Sequence, residues 1–153
     1  MNEVLNPSPS PPDGQKIGVL LVHGLTGTPT EMKYLRKKMS KAGFIAETPT
    51  LAGHGTTIEE LLKCRWTDWV DSVQENFNKL QETCKRVFIA GLCASSGLAM
   101  IVAAGDPRVA GIILISTQYG KFSRKMPWTN HLLPLAYPFP YLRRKFYWTE
   151  TAP

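Results

Sequence analysis

The chain has 153 residues, 43% hydrophobic and 20% charged, with a formal net charge of +6, the balance of a soluble globular domain or part of one. Its three cysteines, Cys64, Cys84 and Cys93, are an odd number without metal-ligand spacing, which argues against a disulfide framework and against a zinc site. No run approaches the roughly 18 apolar residues of a membrane span, and the residues before Ile17 carry no apolar signal core, so the cytoplasm is the expected compartment and all three cysteines are expected as free thiols.

Residues 1–16 carry Pro7, Pro9, Pro11 and Pro12 among small polar residues and read as a flexible lead. Ile17–Val22 is an almost unbroken apolar run, the pattern of a strand buried on both faces of a parallel sheet. A Gly/Thr loop follows from His23. The spacing then predicts a helix with Thr28 as N-cap, Pro29 in the first turn and Glu31 three residues on, as in a capping box. Met32, Leu35 and Met39 form its apolar stripe, and Gly43 ends it. Residues 44–48 read as a second strand, 58–63 as a short helix, and 66–83 as a helix with Trp66, Trp69, Val70, Val73, Phe77 and Leu80 on one side. Residues 86–90 are a third strand, 95–104 a helix of small and apolar residues, and 109–115 a fourth strand. Strands alternating with helices predict an α/β fold, a mostly parallel sheet flanked by helices. The core is expected over 17–117.

After Ser116 the alternation stops. The stretch from Lys121 to Lys145 holds Lys121, Arg124, Lys125, Arg143, Arg144 and Lys145 and no acid. A solvated face is the first reading of such a block; an anionic surface is the competing one, and no nucleic-acid partner is expected.

Two turns at carboxyl ends of strands, where open α/β sheets bind ligands, carry the chemistry. One is His23-Gly24-Leu25-Thr26-Gly27. The other, Gly91-Leu92-Cys93-Ala94-Ser95-Ser96-Gly97, has the form of a nucleophile elbow, a tight strand-to-helix turn that exposes the nucleophile. A helix N-terminus behind it lowers a thiol pKa and favours a developing oxyanion.

These landmarks resemble the α/β-hydrolases of the carboxylesterase and monoacylglycerol lipase kind. The run from Val19 to Pro29 is similar to their oxyanion-loop strand. Leu51-Ala52-Gly53-His54-Gly55, Trp66-Thr67-Asp68-Trp69 and Val87 to Cys93 follow in the family's order. Where those enzymes carry Ser inside Gly-x-Ser-x-Gly, this chain has Cys93, and Ser95 stands where the second Gly belongs. Two registers are open. In one, Cys93 is the nucleophile after Gly91; in the other, Ser95 is, before Gly97. The apolar strand runs straight into Gly91, which favours Cys93. Dienelactone hydrolases and polyhydroxyalkanoate synthases are similar in placing Cys in this elbow.

The resemblance implies an oxyanion hole made by the backbone N–H groups of Leu25 and Ala94, with His23 and Gly24 shaping the loop. It implies no metal and no cofactor, and a small ester or acyl compound as substrate; oligomeric state is not read. The family's acid and histidine follow the nucleophile on later loops. His23 and His54 read as structural, His131 lies in the aperiodic tail, and Asp68 and Asp106 read as a helix-surface acid and a turn residue. The expectation is therefore a partial hydrolase fold that supplies nucleophile and oxyanion hole but not the full triad, with 118–153 as the start of a cap. An acyltransferase of the same fold and an inactive truncated fragment are the alternatives.

Overall fold

The computed structural model describes residues 16–117. They build four strands, β1 (Ile17–Val22), β2 (Ile45–Glu47), β3 (Arg86–Leu92) and β4 (Val109–Ile115). One turn of 3₁₀ helix (Pro29–Met32) leads into α1 (Lys33–Lys41); α2 (Ile58–Lys63) and α3 (Trp66–Gln81) join β2 to β3, and α4 (Ser95–Gly105) joins β3 to β4. The strands are parallel throughout, in the order β2-β1-β3-β4.

That order follows from burial on both faces of the middle strands. Leu20, Leu21, Val22, Val87, Ile89 and Ala90 are fully buried. From β1 the chain steps outward to β2, then crosses back over β1 to β3 and on to β4. Right-handed crossovers in opposite directions place their helices on opposite faces. Val19, Leu21, Ala46 and Ala90 accordingly pack with Met32, Leu35 and Met39 on one face. Leu20, Val22, Val87 and Ile89 pack on the other with Val73, Phe77 and Leu80 of α3 and Leu98, Ala99 and Val102 of α4.

Phe77 is the largest fully buried side chain, and its ring also lies 5.6 Å under the Arg108 guanidinium. Phe77→Ala is expected to cost about 3–5 kcal/mol of stability. A urea-denaturation midpoint within error of the parent's would contradict this packing.

Some local features differ from the expected ones. Thr28 makes no side-chain cap bond, and the first turn is 3₁₀ rather than α; the Glu31 carboxylate is engaged elsewhere, at Gly24. β2 is three residues long because Phe44 is tied back to the end of α1 by its N–H on the Met39 carbonyl (3.1 Å). Asp68 is more than a surface acid: its carboxylate accepts the Arg65 N–H (2.6 Å) and caps α3. Asp106 accepts from Gln74 Nε2 (2.9 Å) and from the Arg108 backbone and guanidinium, locking the end of α4 to α3. Those Arg108 hydrogen bonds hold its carboxyl well below the usual carboxylate range. No helix of the described residues is long and apolar enough to cross a membrane.

Strand order reverses between β1 and β3, the topological switch at which α/β sheets open a crevice beyond their carboxyl ends. Val22 pairs with Gly91 there, so the loops leaving β1 and β3 emerge side by side.

Candidate active site

The loop after β3 turns on Cys93. Its φ is +55°, a left-handed conformation that a residue with a side chain adopts only where the surroundings enforce it. Here the Cys93 N–H donates to the Ile115 carbonyl of β4 (2.8 Å), and its carbonyl accepts the Ser96 N–H (3.1 Å) as α4 begins. The turn is so tight that a Cβ on Gly91 would lie 2.3 Å from the Ser95 carbonyl oxygen and 2.6 Å from the Ser96 nitrogen. Only glycine fits. The Cys93 thiol is half-buried at the N-terminus of α4.

Ser95, the alternative nucleophile, is buried in the first turn of that helix, and its hydroxyl donates to the His23 carbonyl. Ser96 likewise donates to the Gly91 carbonyl (2.8 Å). Both hydroxyls serve to fasten the elbow to the sheet. A Cβ built on Gly97 meets nothing within 4 Å, so nothing at that position demands glycine.

The loop after β1 lies against the elbow: the Cβ direction of Gly24 points to within 3.9 Å of Cys93 Cβ. The Gly27 N–H closes a turn on the Gly24 carbonyl (3.1 Å), and Thr26 sits at φ +58°. The Gly24 N–H donates to Glu31 Oε2 (3.0 Å). Among the described residues, the N–H groups of Leu25 and Ala94 donate to no protein acceptor. Unsatisfied amides beside a strained turn are the feature from which an anion site is made.

His23 is fully buried beneath this loop. Its Nδ1 lies 2.9 Å from the Gly24 carbonyl and its Nε2 accepts the Leu51 N–H (3.3 Å). Those partners fix the neutral tautomer with the proton on Nδ1. Burial pushes its pKa down, the Gly24 carbonyl opposes, His54 lowers it further and Glu31 opposes. With both nitrogens engaged, His23 shapes the loop. His54 is buried between His23 and Trp69, at centroid distances of 5.0 and 5.4 Å, with Nδ1 on the Ala52 carbonyl (3.0 Å). His131 lies outside the described residues, as does the expected cap. Among the described residues no three His, Cys, Asp or Glu side chains gather as metal ligands would.

The buried His23 has a consequence for stability. Its native pKa lies below the unfolded value of about 6.5, so the unfolded chain binds the extra proton first as pH falls. Its contribution is present above that value and is lost as pH drops toward the native pKa. The urea midpoint is expected to fall between pH 7.5 and 5.5, and to fall less in His23→Asn. Equal slopes in the two proteins would contradict a neutral, buried His23.

Beside the elbow lies an apolar groove of about 290 Å³, lined by Leu25, Trp66, Trp69, Ala94, Leu98 and Ile101 among others. Helical periodicity puts both tryptophans on one side of α3 with Phe77; Trp66 is 58% exposed there, and Ile101 of α4 is 46% exposed. Sequence reasoning missed this groove. The available signal was that Trp66 opens α3, and the first turn of a crossover helix lies near the carboxyl ends of the strands; Trp69 packs partly on the core while Trp66 stays exposed.

The sequence profile of the dienelactone hydrolase family matches residues 4–126. A thermostable monoacylglycerol lipase of Bacillus sp. (strain H-257) is 40% identical over 100 residues, which are 65% of this chain and 40% of that protein. A carboxylesterase of Bacillus subtilis (strain 168) is 30% identical over 79 residues, 52% of this chain and 32% of that protein. The chain thus spans less than half the length of the curated relatives it matches. Among solved structures, one described with the metagenome-derived lipolytic enzymes LipS and LipT superposes with a TM-score of 0.66 at 34% identity, covering 78% of this chain and 48% of its own. The thioesterase domain from the curacin biosynthetic pathway, at 18% identity and a TM-score of 0.61, shares the fold, with 81% of this chain and 45% of that one covered.

Proposed function

The chain belongs to the dienelactone hydrolase family of α/β-hydrolases, and from that premise we propose that Cys93 is the nucleophile of an esterase- or lipase-type acyl hydrolase, with the Leu25 and Ala94 N–H groups as its oxyanion hole. The observation that carries the reading is the left-handed backbone at Cys93, in a turn that only Gly91 permits; the Leu25 and Ala94 amides, without protein acceptors among the described residues, support it. Ser95 is the weaker candidate because its hydroxyl is buried and committed to the His23 carbonyl.

In this reading the Cys93 thiolate attacks the carbonyl carbon of an ester. The C–S bond forms as the carbonyl oxygen takes the negative charge, which the two amides receive. Collapse of that intermediate breaks the bond to the leaving oxygen, which departs as an alcohol after taking a proton. A thioester remains on Cys93, and water releases the acid. The acyl chain lies in the groove between Trp69 and Ile101, which supports an apolar acyl substrate. The base for the water step is assigned to a residue outside 16–117, since both histidines within that range are packed in the interior.

The test is to treat the protein with p-nitrophenyl butyrate near pH 8 and map the acylated peptide. The butyryl group is expected on Cys93, with release of p-nitrophenolate. Label on Ser95, or label shared equally with Cys64, would overturn the assignment.

A further inference from the structure

We propose that Glu31 is a positioning residue that holds the loop after β1 in the shape that leaves the Leu25 N–H free; the inference rests on the reading of that amide as an oxyanion donor. Among the described residues, the carboxylate of Glu31 forms no ion pair, and its one hydrogen bond is from the Gly24 N–H at 3.0 Å. Glu31 is solvent-exposed, so neither burial nor a nearby cation fixes it there. The carboxylate lies against the loop: a Cβ on Gly27 would fall 2.1 Å from Glu31 Oε2 and 2.4 Å from its carboxyl carbon.

The chain has a reason to spend an acid in this way. A loop of 24–27 with Thr26 at φ +58° carries backbone strain, and the turn bond from Gly27 to Gly24 alone does not fix which way each amide points. Hydrogen bonds to a charged acceptor are about twice as strong as neutral ones. Glu31 engages the Gly24 amide, and the next amide, Leu25, makes no hydrogen bond to that carboxylate. A Cβ on Gly24 would lie 3.9 Å from Cys93 Cβ, so holding Gly24 also sets the spacing of loop and elbow. The position of Glu31, three residues into a helix entry, is that of a capping-box acid; here it reaches seven residues back instead of three.

The role predicts a separation of two reactions at the same sulfur. Acylation by an ester passes through an oxyanion and needs the amides in place; alkylation by iodoacetamide is a displacement at carbon that creates no oxyanion. Glu31→Ala is expected to slow acylation of Cys93 by p-nitrophenyl butyrate about 10-fold or more, while alkylation stays within about twofold. Hydrogen exchange at the Gly24 amide is expected to speed up about 10-fold. Glu31→Gln keeps an acceptor oxygen and should restore most of both. Gly27→Ala keeps the carboxylate but fills its space, and should behave like Glu31→Ala. Unchanged acylation and exchange in both Glu31→Ala and Gly27→Ala would overturn the proposal, and so would alkylation that falls in step with acylation. Failure of the parent protein to acylate at Cys93 would instead remove the nucleophile reading, and Gly24 exchange would then decide on its own whether Glu31 holds the loop.

Discussion

Cys93→Ala is expected to lower the rate of p-nitrophenolate release by at least about 10³-fold, a loss of about 4 kcal/mol of transition-state stabilisation. The fold should be kept, because the thiol is half-buried and forms no part of either core cluster. Cys93→Ser should be nearly as slow: a hydroxyl without a neighbouring base is a poor nucleophile, both His23 nitrogens are engaged, and His54 is buried against His23 and Trp69. Ser95→Ala separates the two registers. It leaves the His23 carbonyl without the Ser95 hydroxyl and should cost about 1 kcal/mol of stability, yet leave acylation within a few-fold. Measured by stopped-flow absorbance, loss of the burst in Ser95→Ala with retention in Cys93→Ala would reverse the assignment.

A methyl group on Gly91 is expected to be as damaging as loss of the thiol. Its Cβ would fall 2.3 to 2.6 Å from backbone atoms of Ser95 and Ser96, and backbone at the start of a packed helix cannot swing aside as a side-chain tip does. Overpacking costs about 1–3 kcal/mol where side chains adjust; Gly91→Ala should reach the top of that range and abolish acylation, since relief requires α4 to shift away from β3. Gly97→Ala is the matched control. It sits within α4 with open space around it, so alanine should raise stability by about 0.5–1 kcal/mol through helix propensity and leave the elbow intact. Thermal melts of the pair decide between the registers, because a Ser95 elbow would make Gly97 the irreplaceable glycine.

The sheet was legible because its middle strands are buried on both faces, which leaves an unbroken apolar run such as Leu20-Leu21-Val22 that no surface element shows. The elbow was legible because apolar strand, glycine and small-residue helix follow one another without a gap. The role of Glu31 was not. A carboxylate three residues into a helix serves an N-cap or a preceding loop at the same spacing, and only the path of residues 24–27 decides which. The groove was hidden for a related reason. A stripe at helical spacing marks which side of α3 is apolar, but not how far the sheet beneath extends, so Trp66 and Phe77 looked alike while one is 58% exposed and the other fully buried. Asp68 and Asp106 read as a surface acid and a turn residue, and their hydrogen bonds to Arg65 and Arg108 depend on local backbone geometry that spacing does not express.

The pairing of β1 with β3 bears on when the site comes into being during folding. The two amides and the thiol belong to loops about 70 residues apart, and Ser95 reaches the His23 carbonyl only after Val22 and Gly91 have met. Contacts this distant along the chain carry a loop-closure cost and form late. Until then the sulfur of Cys93 is an ordinary thiol on a nascent strand, without the turn that presents it or the amides that would serve it. Arrival of ester reactivity in a refolding experiment should therefore lag the recovery of helical signal and coincide with closure of the sheet.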